Sequence, residues 1–302
     1  DQIISDYQDK VGDVITAQVL RMDGRAVIMD IGRGHGYMPP EEQMRGEFYR
    51  LNQRFAVLIK EISETVRGKV IVVSRADKKL VEKLFDREVP EVASGAVVIS
   101  AIAREAGVRT KLTVRSTQEG VDPVGSCVGQ RGVRVQRVIE ELNNEKVDII
   151  PHTEDPVKLL QGALAPAENL LIELSLDGKQ ALVTAPDDQL SLAIGRGGQN
   201  VRLAAKLTGY QITIKSATGT VQSQVTGKEE YEIDTFEGVT AETRAFLIEN
   251  KLTTIGDLAR FKDKWFGAKE LTMEQKELLN VRVMAFEKEE LANPRRINPL
   301  KS

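Results

Sequence analysis

Two stretches of the sequence share a residue pattern that suits contact with a sugar-phosphate backbone. The first is VGQRGVRVQ, residues 128–136, and the second is IGRGGQNVR, residues 194–202, exactly 66 positions later. In each stretch two glycines stand three positions apart inside a helical pattern, with an arginine between them. Glycine inside a helix costs about 1 kcal/mol relative to alanine, so the pattern predicts a break between two helices.

A glycine pair at a helix start can hold a phosphodiester for two physical reasons. Without a Cβ atom the loop backbone can approach another backbone closely, and the first N–H groups of the following helix lack intrahelical partners. Residues 123–139 contain three arginines and no acid, and residues 189–219 contain four basic residues and no acid. One such loop is usually an ordinary corner between helices, but two at matching places favour a binding role.

Other chemistries have little support in the sequence. Neither glycine pair is followed by Lys-Ser or Lys-Thr, and neither forms Gly-x-Gly-x-x-Gly directly after a strand, which excludes nucleotide-phosphate loops. The two histidines, His35 and His152, lie far apart without Cys or His neighbours at ligand spacing, so we expect no metal and no cofactor. The sequence shows no Ser/His/Asp order with a supporting motif, and we expect no catalysis.

Charge and cysteine content limit the class of protein further. The net charge is −3, so any nucleic-acid site must be a local patch, because phosphate binding depends on local Lys and Arg. Cys127 is the single cysteine and lies in an apolar stretch, which favours a buried thiol in a reducing compartment. The sequence contains neither a signal peptide nor an apolar run of about 18 residues, so we expect a cytoplasmic protein without membrane contact.

The elements that position the two loops form a duplicated unit behind a set of short strands. Residues 11–76 show period-two apolar patterning with a longer connection between the third and fourth of five strands, which predicts an OB-type β-barrel. Residues 77–152 (the first repeat) and 153–216 (the second repeat) each predict a helix, two strands, two helices around the glycine pair, and a strand. The matched residues, including Asp122 and Asp188, are 66 positions apart, which indicates an internal duplication.

The C-terminal part has a different composition. Residues 217–232 are rich in Ser, Thr, Gly and Gln and predict a linker, whereas residues 233–290 predict a small, mostly helical domain. Residues 228–290 hold 15 Asp and Glu against 10 Lys and Arg, a net charge of −5. Residues 1–10 predict the end of a helix, and residues 291–302 predict a disordered tail. Trp265 and Phe266 are candidate anchors for a partner, although core packing is favoured.

The helix, Gly-x-x-Gly, helix arrangement between strands resembles the KH domain family in its α-β-β-α-α-β (type II) order. In that family the loop clamps about four nucleotides of single-stranded RNA, and an adjacent apolar groove takes the bases. The resemblance implies groove residues that are also core candidates: Val124, Val128, Val135 and Ile149 in the first repeat, and Leu190, Ile194, Val201 and Ile212 in the second. It implies these RNA-binding candidates: Gly129, Gln130, Arg131, Gly132, Arg134 and Val135 in the first repeat, and Gly195, Arg196, Gly197, Gly198, Asn200 and Arg202 in the second.

A five-stranded barrel followed by two type II KH domains resembles the NusA family of bacterial transcription factors. The amino-acid sequence is very close to that family in four segments, residues 74–92, 101–116, 121–136 and 187–210. The resemblance covers residues 11–215. It implies a non-enzymatic regulator of pausing, termination and antitermination that holds nascent single-stranded RNA, with RNA polymerase and other elongation factors as partners. The family's N-terminal polymerase-binding domain is expected to be absent from this chain.

The barrel resembles the ribosomal-protein S-one type of OB-fold, and its predicted second strand lacks the aromatic residues that such barrels often carry. We therefore expect weaker RNA binding there, through Arg33, His35 and Tyr37, and plain packing is an equal alternative for Tyr37.

The acidic C-terminal region resembles a helix-hairpin-helix unit. Its loop reads Gly238-Val239-Thr240 where a nucleic-acid-binding hairpin has Gly-apolar-Gly, and Glu237 and Glu242 flank the loop, so a protein partner is favoured.

Two alternatives remain at this point. One is the RNA-binding region of an RNA-processing or decay enzyme, in which a KH domain usually precedes the barrel. The other is a ribosome-assembly factor, which requires a phosphate loop.

Overall fold

The computed structural model describes residues 2–225 and 231–292, which divide into two compact units. The first unit contains the barrel at the N-terminus and the C-terminal helices. The second unit contains residues 44–47 and the two repeats. Residues 293–302 of the predicted tail and residues 226–230 of the predicted linker lie outside the described residues. Residues 291–292, which are also predicted to lie in the tail, belong to the last helix. In the part of the chain that is described, no helix combines the length and the apolar character needed to cross a bilayer.

Five strands close into a barrel with the strand order β1-β2-β3-β5-β4. Strands β3 and β5 are parallel and the other neighbours are antiparallel, with β1 pairing with β4 to close the barrel. A short helix, α1, packs on the barrel, and its buried Tyr7 hydroxyl donates a hydrogen bond to the carbonyl oxygen of Ile31 at 2.5 Å. These elements are α1 (Gln2–Gln8), β1 (Val14–Asp23), β2 (Ala26–Asp30), β3 (His35–Met38), β4 (Arg54–Thr65) and β5 (Gly68–Ser74).

The first repeat packs its helices on a three-stranded sheet of order β6-β7-β8, in which β7 is antiparallel to β6 and parallel to β8. The first long helix buries apolar residues at helical spacing, among them Leu80 and Leu84, and ends before Pro90. The elements are α2 (Lys78–Glu88), α3 (Pro90–Ala93), β6 (Val97–Glu105), β7 (Arg109–Ser116), α4 (Pro123–Val128), α5 (Val133–Glu141) and β8 (Lys146–Pro151).

Apart from the short helix α3, the second repeat has the same element order and the same strand directions as the first. Its core includes Ala103 and Ile150 of the first repeat, so the repeats share apolar packing. Its elements are α6 (Pro156–Ala163), β9 (Leu171–Leu174), β10 (Gln180–Ala185), α7 (Leu190–Ile194), α8 (Gln199–Thr208) and β11 (Gln211–Ser216).

The structure corrects the predicted linker at residues 217–232. A further strand, β12 (Val221–Val225), pairs antiparallel with β11 and extends the sheet to the order β12-β11-β10-β9. The Ser, Thr and Gly residues that suggest a linker form the hairpin turn, in which the Gly219 N–H donates to the carbonyl of Ser216 at 2.9 Å and Gly219 has a φ of +88°.

The C-terminal helices bury an apolar core of their own. Thr240 and Thr254 cap the first two helices through their side chains. Trp265 is fully buried, as core packing predicts, and its indole N–H donates to the carbonyl of Leu258 at 2.8 Å, whereas Phe266 is 42% exposed. The helices are α9 (Ala241–Glu249), α10 (Ile255–Arg260), α11 (Lys262–Phe266) and α12 (Met273–Ala292).

Candidate nucleic-acid interface

The two Gly-x-x-Gly loops have the same backbone conformation although the residues between their glycines differ. The φ angles are 76° and 78° at the first glycine, 54° and 61° at the third position, and 74° and 73° at the last glycine. All of these lie in the region that favours glycine. The third position is Arg131 in the first loop and Gly197 in the second, so the first loop holds an arginine in a left-handed conformation.

The first glycine of each loop is required by space as well as by its φ angle. A Cβ atom on Gly129 would lie 2.7 Å from Cγ of Arg134. A Cβ atom on Gly195 would lie 2.7 Å from both Cβ and the backbone nitrogen of Asn200. The helix that follows each loop therefore returns against the first glycine, and this close approach fixes the shape of the loop.

The last glycine of each loop leaves room for a side chain. A Cβ atom on Gly132 would have its nearest neighbour at 4.0 Å, and one on Gly198 would have its nearest neighbour at 3.8 Å. The side chains of Gln130, Arg131 and Arg196 are exposed. Each loop thus presents bare backbone and at least one guanidinium group to solvent, an arrangement that suits contact with a phosphodiester.

The structure corrects the role predicted for Asn200, and it gives Arg134 partners within the protein. Asn200 is only 1% exposed, and its side-chain nitrogen lies within 3.2 Å of three backbone carbonyl oxygens, so its side chain does not face a ligand. Arg134 is half-buried, and its Nη1 atom lies 2.8 Å from the carbonyl oxygen of Ser126 and 2.8 Å from a carboxylate oxygen of Glu91. The sequence shows a polar residue in an acid-poor segment, but it does not show which carbonyl groups lie within reach.

Arg202 connects the second loop to the first repeat. Its Nη1 donates to the carbonyl of Gly197 at 3.1 Å, and its Nε donates to the carboxylate of Glu105 on β6. Burial acts to raise the pKa of Glu105, but the hydrogen bond and charge of Arg202, together with Gln199, hold that pKa below its usual value. The carboxylate therefore stays charged, and part of the charge of Arg202 is compensated within the protein.

The predicted groove residues divide differently in the two repeats. All four in the first repeat are half-buried and thus partly accessible. In the second repeat Leu190 and Ile194 are half-buried, but Val201 and Ile212 are fully buried core residues. Helical and strand periodicity alone does not separate a groove from a core, because both require apolar residues at the same spacing.

The three barrel candidates, Arg33, His35 and Tyr37, line one cavity of about 820 Å³ on the barrel surface. Arg33 and His35 are exposed, whereas Tyr37 is half-buried. The guanidinium carbon of Arg260, on α10 of the same unit, lies 5.7 Å from the centre of the Tyr37 ring. Burial raises the pKa of Tyr37 despite the nearby Arg260 charge, so the phenol is neutral at physiological pH.

Among residues 2–225 and 231–292, no group of His, Cys, Asp and Glu side chains has the arrangement of a metal site. Cys127 is buried, and its burial together with the nearby charge of Glu91 raises the pKa of the thiol to about 11. This thiol therefore stays protonated at neutral pH and behaves as a small apolar residue.

Comparison with known proteins identifies both repeats. A family model described as the NusA-like first KH domain matches residues 75–152, and one described as the NusA-like second KH domain matches residues 156–222. These matches confirm the prediction of two KH domains.

Proteins of known name match a longer part of the chain. The transcription termination/antitermination protein NusA of Thermus thermophilus is 48% identical over 217 residues, which are 72% of this chain and 56% of that protein. Its namesakes from Halalkalibacterium halodurans and Bacillus subtilis are each 44% identical, over 71% and 72% of this chain and 56% and 58% of their own lengths. The chain thus spans less than two thirds of the length of these relatives. With its two NusA-type KH domains and these relatives, the chain belongs to the NusA family.

Proposed function

We propose that this chain binds single-stranded RNA through its two KH loops and acts as a non-enzymatic regulator of transcription elongation, pausing, termination and antitermination. The observation that carries the proposal is the loop geometry, which occurs twice within one compact unit and leaves room beside the last glycine of each loop. The relatives bear the name transcription termination/antitermination protein, which favours this function over RNA processing and ribosome assembly.

The RNA strand would run over the bare loop backbone of each KH domain. Phosphates would contact the backbone around the last glycine, with Arg131 in the first domain and Arg196 in the second supplying charge. Bases would lie beside the half-buried residues Val128 and Ile194 at the ends of the helices that precede the loops. Backbone and charge contacts of this kind bind RNA with little dependence on its sequence.

The barrel would be a secondary RNA site. The strand order of the barrel supports its assignment to the OB type, and so does its surface cavity, which is lined by the exposed Arg33 and His35 together with Tyr37. Only His35 and Tyr37 offer a ring for stacking, and the Arg260 guanidinium already lies near Tyr37. Base stacking contributes about 1–3 kcal/mol per base, so a site with so few platforms is weak.

The C-terminal helices would bind a protein rather than nucleic acid. In a nucleic-acid-binding hairpin the loop backbone must be accessible, but here Gln275 of α12 occupies it. The Gln275 side chain donates to the carbonyl of Gly238 at 2.8 Å and accepts from the N–H of Thr240 at 3.1 Å, and it is only 5% exposed. RNA polymerase and other elongation or antitermination factors are the proposed protein partners. The domain bounds predicted from the sequence stay a proposal, with β12 added to the second KH domain and residues 291–292 added to the C-terminal helices.

Crosslinking of the whole chain to a short single-stranded RNA, with identification of the modified peptides, tests the proposal. Modified peptides should come from residues 123–139 and 189–219, with weaker modification around His35. Modification confined to residues 231–292, or an absence of crosslinks at both KH loops, would contradict the assignment.

A further inference from the structure

The residue five positions after the first glycine has the same place in both KH domains but a different chemical type. It is Arg134 in the first domain and Asn200 in the second, and the two differ by the same 66 positions as the glycines. Both side chains reach back to the helix that precedes the loop. Arg134 donates to the carbonyl of Ser126, and Asn200 donates to the carbonyl of Leu192, which is the equivalent position.

In the first domain the arginine supports the loop with its whole length. Its methylene carbons lie against Gly129, where an added Cβ atom would approach Cγ to 2.7 Å and Cβ and Cδ to 3.0 Å. Its Nη1 atom then bonds to the Ser126 carbonyl and to Glu91, each at 2.8 Å. The guanidinium group is thereby held by partners within the protein.

In the second domain the same support is neutral and buried. The Asn200 amide nitrogen lies 3.0 Å from the carbonyl oxygens of Leu164 and Ala193 and 3.2 Å from that of Leu192. Because only the NH2 group can donate, these three acceptors determine the orientation of the amide. The side-chain oxygen is buried and has no hydrogen-bond partner among the described residues.

We propose that Arg134 and Asn200 are positioning residues, which hold the two Gly-x-x-Gly loops in the conformation that receives RNA without contacting the RNA themselves. The inference rests on the proposed function, because it concerns how the proposed RNA loops are shaped. It explains why loops with different central residues share the same backbone angles: a side chain from the following helix ties each first glycine to the preceding helix.

The salt dependence of RNA affinity separates a positioning residue from a phosphate contact. Each phosphate contact on a single strand contributes about −0.7 to the slope of log affinity against log salt concentration. Removing a phosphate contact therefore makes the slope shallower. Removing a positioning residue lowers affinity through loop disorder and leaves the slope unchanged.

The experiment measures binding of a fluorescein-labelled oligouridine to the whole chain by anisotropy across a salt series. Arg134→Gln is compared with Arg131→Gln, the matched loss of charge at an exposed loop position. Arg134→Gln should lower affinity about fivefold with the wild-type slope, since a hydrogen-bonded support is lost. Arg131→Gln should lower affinity with a slope shallower by about 0.7. If Arg134→Gln also makes the slope shallower, Arg134 contacts phosphate and the inference is wrong.

For the second loop, Asn200→Ala is compared with Gln199→Ala, and the amide NMR signals of Gly195 and Gly197, which are not adjacent to either substituted residue, are recorded. Asn200→Ala should lower affinity and shift these signals at a temperature where the protein is fully folded, whereas Gln199→Ala should leave the signals in place. Unchanged affinity and signals in Asn200→Ala would restrict Asn200 to core packing. If this variant does not fold, Asn200→Ser, which retains one donor, replaces it. Failure of the proposed function itself would appear separately, as an unchanged affinity in Arg131→Gln.

Discussion

The open space beside the last glycine of each loop allows a substitution that tests RNA binding with little cost to folding. We consider Gly132→Asp and Gly198→Asp, which place a carboxylate where a phosphate is proposed to lie. The nearest atoms to the added Cβ are at 4.0 Å and 3.8 Å, so no neighbour must move. The remaining cost is the left-handed conformation, about 1 kcal/mol for a residue other than glycine, and Asp is among the residues that tolerate it best.

The expected loss of binding is at least as large as this loss of stability. A carboxylate about 4 Å from a phosphate is repelled by about 1 kcal/mol in water and by about 4 kcal/mol at an effective dielectric constant near 20. These values correspond to a fall in affinity of about fivefold to nearly a thousandfold for each loop. Gly132 is the cleaner position, because the Nη1 atom of Arg202 lies 3.8 Å from a Cβ on Gly198 and would partly neutralise a new carboxylate there.

Asparagine at the same positions provides the matched control, since it has the shape of aspartate without the charge and also tolerates a positive φ. Filter binding of a short single-stranded RNA at two salt concentrations, with thermal unfolding of each variant, completes the assay. We expect the Asp variants to bind much more weakly than the Asn variants at similar melting temperatures. Undiminished affinity in the double variant Gly132→Asp, Gly198→Asp would refute the assignment of these loops to RNA.

Three further predictions concern stability, pH and the C-terminal helices. Gly195→Ala should lower the free energy of unfolding by about 1–3 kcal/mol more than Gly198→Ala, because its Cβ would meet the backbone nitrogen of Asn200 at 2.7 Å; urea unfolding of both variants checks this, and equal losses would contradict it. Despite partial burial, the pKa of Glu105 is lowered by its pairing with Arg202, so this pairing stabilises the fold at pH values above the unfolded-state pKa of Glu105. The contribution is lost as the pH falls through the lower folded-state pKa. The difference in the free energy of unfolding between the wild type and Glu105→Gln, measured with urea, should therefore shrink as the pH falls from about 6 to about 3, and a constant difference would argue against the ion pair. Trp265, the single tryptophan, is buried in the C-terminal core, so RNA bound at the KH loops should leave its fluorescence unchanged, and a clear spectral shift on RNA titration would indicate that the C-terminal helices take part in binding.

The sequence predicted the fold best where periodicity and turn residues agreed. The pattern of residues 77–152 predicted a first helix, and the structure contains it as α2, which buries Leu80 and Leu84 at helical spacing and ends before Pro90. The strand β12 was missed because its residues are mostly polar and short side chains surround its turn. A strand at the edge of a sheet needs only one neighbour and a few apolar contacts, so its sequence carries a weak signal.

The sequence predicted the role of the glycines in the candidate site better than the role of its polar residues. A glycine that must adopt a positive φ or allow a close approach cannot be replaced without cost, so the residue type itself records the geometry. The role of Arg134 or Asn200 depends instead on which carbonyl oxygens lie within about 3 Å, which is a property of the tertiary structure. Val201 was likewise assigned to a groove although it is buried, because a core and a groove select the same apolar residue type.

The two loops differ in the residue at their third position and in the place of their arginine. Gly197 adopts its left-handed conformation without steric cost, but Arg131 adopts nearly the same φ at a cost of about 1 kcal/mol. A bulky residue persists in this conformation only where the surrounding structure enforces it. Here the side chain of Arg134 packs against Gly129, the first glycine of the loop. The second loop carries its arginine one position earlier, at Arg196, where the backbone needs no positive φ. The two Gly-x-x-Gly loops therefore share one backbone conformation but carry their arginine at different positions. The phosphates of a strand bound to both loops would contact an arginine at a different place in each loop.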